Sequence, residues 1–380
     1  MENFTNKIKD FANNSNKNAI TKLILILIFI TIIIVVSLYI NHKLKLGGPD
    51  GINCSNLNKI YPDPSLTHPL PSLNSVINSP NKKYLLRDFY VKTAYNCCCG
   101  GQFKNDFVNL CALTKCIQQG ARCLDFEIYS INNQPVVAAS SIDDFTVKET
   151  YNSINIADVF DKINELAFSN SKAPAYQDPL ILHFRIMSNN IPMYKVLADT
   201  INTKFNNRLL DSDYSDEYHG KNLGSVSMSD LANKIIIIVD ATNPIYKKTP
   251  LKEDVNIASG SPFMHILKYQ NVKFTQDIDL TDFNKKNMSI VIPGPRANDT
   301  NPNFNIARQY GCQFLAMSFQ NYDSNLEHYN TFFDSQKFAF VLKPDNLRYI
   351  PVTIPLPPPP PQKYSYEKRP IQSDYYNYSI

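Results

Sequence analysis

The chain has 380 residues, 43% of them hydrophobic, enough for one large domain with attachments. Its net charge of +4 is too small to point to nucleic acid as a partner. Asn, Ile, Lys and Tyr are abundant, Gly is scarce and Trp is absent, a bias that reads as an AT-rich genome.

Residues 1–21 are polar and read as an N-terminal tail. Residues 22–41 follow as a transmembrane helix. The run Leu23 to Ile40 is apolar except for Thr31, Ser37 and Tyr39, and it is long enough to cross a hydrocarbon core of roughly 30 Å. A buried core helix and a cleaved signal peptide are the competing readings. The run is long for a signal sequence, and no small-residue cleavage motif follows it, so a retained single-pass anchor is expected. Lys7, Lys9, Lys17 and Lys22 precede the run and only Lys43 and Lys45 follow it closely. That excess favours a cytosolic N-terminus and a large C-terminal domain on the non-cytosolic side.

Residues 42–83 contain GGPDG, YPDPSLTHPLPS and NSPNKK, a composition that reads as a Pro/Asn-rich tether or an irregular cap. From Tyr84 the pattern changes. LLRDFYVKTAY, RCLDFEIYS, PVVAAS, PLILHFRIM, NKIIIIVDA, SIVIP, CQFLAMSF and FAFVLKP read as strands. DFVNLCALTKCIQQG, NIADVFDKINELAF and MYKVLADTINTKFNNRLL carry helical periodicity. Strands alternating with helices over residues 84–352 predict an α/β fold, a (β/α)8 TIM barrel. Residues 353–380 form a Pro/Tyr-rich C-terminal tail. Its Pro355–Pro361 stretch is either a solvent-exposed polyproline segment or a ligand for an aromatic-lined groove on a protein partner.

The eight cysteines, at 54, 97, 98, 99, 111, 116, 123 and 312, lack zinc-knuckle spacing. They read either as buried thiols or as disulfides made in an oxidising compartment.

In the segment GARCLDFEIY, Asp125 and Glu127 lie two apart and so share one face of a strand. This segment, PLILHFRI, and the closing stretch from Gly311 to Arg348 resemble the catalytic barrel of phosphoinositide-specific phospholipase C. Within that stretch Cys312-Gln313, Val341-Leu342-Lys343-Pro344 and Leu347-Arg348 carry the likeness. The resemblance implies a PLC-like phosphodiesterase barrel, with an X half near 84–240 and a Y half near 256–352. It also implies two catalytic imidazoles, a Ca²⁺ held by Asn, Glu, Asp and Glu, and cationic side chains on the ring phosphates.

Residue by residue, the carry-over is incomplete. The first imidazole falls on Ala94 or, with a one-residue shift, on Tyr95, which leaves Asn96 as an oxygen ligand. The second falls on Ala139, which can neither donate nor accept. Asp125 and Glu127 keep two acids of the Ca²⁺ set, so Asn96, Asp125 and Glu127 remain a metal candidate. The fourth ligand falls on Arg185, whose guanidinium repels a cation and is expected to pair with Asp125 or Glu127 instead. His183 shares the strand face of Arg185 and reads as a core or a pocket residue. The phosphate-gripping positions fall on Ile238, Asp240, Ile290 and Ile292. The expectation is therefore a membrane-anchored pseudoenzyme with a binding or structural role, perched on the membrane of a cell or, given the composition, of a virion from a large DNA virus. The alternatives are a phosphoric diester hydrolase with a rewired site built from Tyr95, Asn96, Asp125, Glu127, His183 and Arg185, and an adaptor that recruits partners through its tail.

Overall fold

The computed structural model describes residues 2–61, 84–142, 146–274, 278–294, 300–351 and 368–380. It divides into two units, residues 1–348 and residues 349–380.

The first unit is built on β1 (Phe89–Ala94), β2 (Cys123–Ile131), β3 (Gln134–Ala138), β4 (Ile154–Asn155), β5 (Leu180–Ile186), β6 (Ile235–Asp240), β7 (Ile257–Ser259), β8 (Met264–Lys268), β9 (Met288–Ile292), β10 (Phe314–Met317) and β11 (Phe340–Leu342). Eight of these are ordered β7-β6-β5-β2-β1-β10-β9-β8, each parallel to the next, in a nearly closed α/β barrel. At the seam between β7 and β8, Gly260 N–H donates to Met264 O and Met264 N–H to Ser261 O. β3 and β4 extend β2 as an antiparallel ribbon.

The alternation along each strand explains the two-sided burial. Phe126, on β2, packs on Phe184, on β5, at 6.2 Å between ring centroids, and Phe184 meets Phe160 of the helix Ile156–Leu166 at 6.1 Å. Phe160 also packs on Phe205 of the helix Ile191–Phe205 at 4.6 Å. Side-chain caps start several helices: Asn109 accepts from Cys111 N, Asn155 from Ala157 N, and Asp323 from Leu326 N. The segments that carry the likeness near the C-terminus tie the barrel base. Gln313 donates to the carbonyls of Arg87, Asn284 and Asn287 and accepts from Ser289 N. Lys343 donates to Asn284 O and Gly311 O, and burial pushes its ammonium down to about 7.

The polar tail and the anchor are one helix, Glu2–Leu44, whose stretch Ala19–Leu44 is long and apolar enough to cross a membrane. None of that stretch is buried, and Leu25, Phe29 and Val35 are at least half exposed, so it is not a core helix of this domain. Of the two readings of 42–83, tether or cap, the described residues fit a cap docked on the domain. The helix Ile52–Ile60 packs on the barrel with Cys54 and Leu57 buried. Asn53 Nδ2 donates to Asp106 Oδ1 at 2.7 Å, Asn109 Nδ2 to Gly48 O at 2.6 Å, Lys43 Nζ to Asn105 O at 2.9 Å, and Tyr61 Oη to Phe319 O at 2.8 Å. A Cβ at Gly47 would stand 2.7 Å from the Phe107 ring, so glycine lets this chain lie flat on the domain. A disulfide joins Cys54 to Cys111, with 5.9 Å between their Cα atoms. The other six cysteines are buried thiols. Pro/Gly/Asn density signalled irregular chain, and irregular chain can still be packed.

The second unit contains β12 (Pro370–Gln372) and β13 (Asn377–Ser379), an antiparallel hairpin with exposed Tyr375, Tyr376 and Tyr378. Pro355–Pro361 lies outside the described residues.

Candidate functional site

The inward-facing residues of β2 and β5 meet through strand register. Asp125 sits beside His183, and Glu127 beside Arg185. Asn96 follows β1 in the left-handed region, φ 44°, and turns its side chain onto the same cluster. All five are buried, and the structure brings them together.

The Arg185 guanidinium occupies the centre. Its Nε donates to Asp125 Oδ2 at 3.0 Å and its Nη2 to Asp125 Oδ1 at 2.7 Å. Nη1 donates to Glu127 Oε1 at 2.7 Å, and Nη2 also to Asn96 Oδ1 at 2.7 Å. Asn96 closes the ring, its Nδ2 donating to Glu127 Oε1 and its backbone N–H to Asp125 Oδ1, each at 3.1 Å. The outer oxygen of Glu127 accepts from Tyr129 Oη and from Ser140 N–H, each at 2.9 Å. Each carboxylate oxygen thus accepts two hydrogen bonds, which a buried carboxylate requires. The Tyr95 ring lies 4.6 Å from the guanidinium carbon, a cation–π contact.

Electrostatics follow from this geometry. Burial alone would push the Asp125 carboxyl up; the Arg185 charge and the hydrogen bonds from His183 and Arg185 outweigh it and hold the group below the usual carboxylate range. Burial and the neighbouring Glu127 charge push the Tyr129 phenol up, so it stays a donor to Glu127. Among the described residues no group of three His, Cys, Asp or Glu side chains is placed to hold a metal ion. Asn96, Asp125 and Glu127 do converge, but on a guanidinium that fills the space between them.

His183 Nδ1 lies 2.7 Å from Asp125 Oδ2, and its Nε2 lies 2.9 Å from Ser259 Oγ. The ionised carboxylate has only lone pairs to offer, so Nδ1 carries a proton, and in the neutral imidazole the Ser259 hydroxyl donates to Nε2. This has the connectivity of a nucleophile–base–acid triad. Yet Ser259 and His183 are both 0% exposed, so no substrate reaches that hydroxyl in this conformation.

Sequence reasoning missed Ser259 and Tyr129. Tyr129 was legible, since it continues the Asp125, Glu127 alternation. Ser259 was not, because IASGSPFMHILK has no clear period. Ala94 and Ala139 are fully buried, and Ala139 uses only its backbone, its carbonyl accepting from Glu149 N and Thr150 N. Ile238, Ile290 and Ile292 are buried as well.

Above the cluster, at the C-terminal ends of the strands, a cleft of about 400 Å³ opens between Arg185, Met187, Asp240, Thr242, Ile266 and Lys268, with Ile292 and Asn271 completing its wall. TIM-barrel sites lie at this end of the fold. Asp240 holds Thr242 N and Oγ1, which fixes one polar corner of the opening.

Residues 83–240 match the family model described as Phosphatidylinositol-specific phospholipase C, X domain. Among solved structures, the chain is similar to L. pealei PLC21, with 20% identity and a TM-score of 0.57, covering 71% of this chain and 38% of that one. S. officinalis PLC21 is similar at 20% identity and a TM-score of 0.55, with the same coverage. The chain therefore spans well under half the length of either. No curated protein sequence matches it. Sequence model and fold agree: the domain is a phospholipase-C-like TIM barrel, and its residues 83–240 match the X-domain model.

Proposed function

We propose that this protein is a membrane-anchored phospholipase-C-like barrel that binds or scaffolds and does not hydrolyse phosphodiesters. The observation that carries the reading is Arg185. Its guanidinium satisfies both barrel acids and stands where a cation between Asn96, Asp125 and Glu127 would have to stand. Phosphodiester cleavage of the implied kind needs a general base, a general acid and a charge-neutralising ion. Ala94, Tyr95 and Ala139 at the expected imidazole positions provide no base, and Ile238, Ile290 and Ile292 provide no grip on ring phosphates. Losing one general base typically costs about 10²–10⁴-fold, and here several groups are replaced together.

The exposed apolar stretch Ala19–Leu44 supports a membrane anchor, and the Cys54–Cys111 bond supports a domain on the oxidising side, as the lysine bias also favours. The reading is tested by assaying the purified full chain on phosphoinositides, other phospholipids and cyclic nucleotides, with and without divalent ions. Activity that disappears in Asp125→Asn/Glu127→Gln would sink it.

One observation favours a second reading, a hydrolase with rewired chemistry: the Ser259–His183–Asp125 alignment. Covalent labelling of Ser259 by a fluorophosphonate, lost in His183→Ala, is the result this reading requires. Complete burial of Ser259 speaks for no labelling.

A further inference from the structure

The long N-terminal helix and the barrel meet without a free linker. The apolar run ends at Ile40, and Lys43 stands three residues beyond it, about 4.5 Å along the helix axis. Lys43 Nζ, 5.9 Å from the Tyr39 ring centroid, donates to Asn105 O at 2.9 Å. Leu46, just past the helix, is buried. The turn that follows is pinned by Ile52 N–H to Lys45 O, by Asn109 Nδ2 to Gly48 O and by the Cys54–Cys111 bond. The barrel segment that receives the helix is itself bonded to a second one. Asn105 N–H donates to Glu149 O at 3.0 Å, and Tyr151 N–H to Asp106 O at 2.8 Å. Glu149 Oε2 in turn accepts from Ser141 N–H at 2.8 Å. Residues 101–109, 139–142 and 146–151 therefore make one bonded patch at the end of the helix.

That patch turns apolar side chains outward. Ile142 is 43% exposed, Val147 42% and Tyr151 47%, and the Tyr151 ring packs on Phe107 at 5.3 Å between centroids. The headgroup layer on each side of a bilayer is roughly 5–8 Å thick, half the difference between roughly 30 Å of hydrocarbon and roughly 40–45 Å overall. With Lys43 about 4.5 Å past the apolar run, Asn105 and the segments bonded to it stand at the depth of that layer. We propose that Ile142, Val147 and Tyr151 form a bilayer-contact surface, seated in the interfacial layer of a phospholipid membrane by the junction between helix and barrel. The proposal rests on the membrane-anchor reading.

The side chains suit that depth. A tyrosine ring is apolar and its hydroxyl polar, which favours the boundary between hydrocarbon and water. Ile142 and Val147 gain by leaving water. Glu149 is paired with Lys104 at 2.9 Å, so the patch brings no lone acid against the lipid phosphates, and Lys45 is exposed beside the junction to meet them. Held in this way the barrel has a set height above the bilayer, whereas a domain on a flexible tether would swing. A second copy of the chain is the competing occupant of the surface.

The chain has no Trp, so a single introduced Trp reports without background. Ile142→Trp and Val147→Trp probe the patch, and Leu38→Trp probes the apolar run. Ser335→Trp, on the exposed last turn of the helix Ser324–Gln336, is the control. Each full-length variant is reconstituted into phosphatidylcholine vesicles, plain or brominated near the headgroup end of the acyl chains. Brominated lipid is expected to quench Ile142→Trp, Val147→Trp and Leu38→Trp by about half or more and to leave Ser335→Trp nearly unchanged. Quenching of Leu38→Trp with none of Ile142→Trp and Val147→Trp overturns the proposal and leaves the anchor reading standing. No quenching in any variant overturns both. Blue-shifted emission from Val147→Trp without quenching shows a protein partner on the surface and overturns the proposal too. Six Gly/Ser residues inserted after Ile40 separate the apolar run from the junction, and should cut the quenching of Val147→Trp about twofold or more. Unchanged quenching after the insertion overturns the role of the junction.

Discussion

Replacing Arg185 by Met removes the charge that Asp125 and Glu127 share while keeping a long side chain. Both carboxylates are buried, at 0% and 3% exposure, and each loses charge-assisted bonds of 2.7–3.0 Å. Breaking a buried pair by deleting one partner costs about 3–5 kcal/mol. For a domain of this size, roughly 2–3 °C per kcal/mol converts that into a Tm drop of roughly 6–15 °C. The chain has no Trp, so the melt is best followed by far-ultraviolet circular dichroism in detergent. The pH dependence adds a signature. In the wild type the folded Asp125 carboxyl lies below its unfolded value, so its stabilisation is present above about pH 4 and is lost only as pH falls through the folded value. Without the guanidinium, burial dominates and the folded value rises above the unfolded one. Stability then drains away as pH increases from about 4 through the new folded value. Arg185→Met is expected to be more stable at pH 5 than at pH 8, with no such gain in the wild type. The triple variant Asp125→Asn/Glu127→Gln/Arg185→Met, which removes all three charges, should recover most of the loss. A single variant with wild-type Tm and no pH dependence would refute the idea that the guanidinium neutralises the two acids.

Other consequences are checked in the same way. Cys54→Ser/Cys111→Ser opens a cross-link spanning 57 residues, and should cost about 4 kcal/mol in the chain-entropy account, read as a lower urea midpoint. Tyr129→Phe strips Glu127 Oε2 of one of its two donors and should cost about 1–2 kcal/mol in the same urea titration. Deleting residues 1–44 should release the barrel from membranes in a carbonate-wash fractionation; a deletion that stays in the pellet shows that other surfaces hold it there.

The barrel and its likeness were legible because they rest on local signals. Among these, NKIIIIVDA is apolar on both faces as a buried parallel strand must be. The face shared by Asp125 and Glu127 was legible too, because a strand alternates side chains. The neighbours of that face were not. Register between β2 and β5 places Asp125 beside His183 and Glu127 beside Arg185, and register is a property of the assembled sheet. Sequence suggested that Arg185 pairs with one acid; only the assembled sheet lets one guanidinium span both. Ser259 comes from β7, 76 positions from its His183 partner, with no pattern linking them. The segment before the barrel was left open between a tether and a cap for a different reason. Gly47 and Gly51 signal irregular backbone, but whether irregular backbone packs depends on a facing surface, here Phe107 and the loop around Asp106. The pairing of Cys54 with Cys111 likewise depends on that docking.

The account stands on a guanidinium holding the place of an ion, and calorimetric titration of Ca²⁺ into the full chain tests this most directly, with Arg185→Glu run alongside. The wild type is predicted to show no saturable binding up to millimolar Ca²⁺, and Arg185→Glu, with three acids and Asn96 around an open centre, to gain a site. Saturable binding by the wild type that is lost in Asp125→Asn/Glu127→Gln would contradict the account.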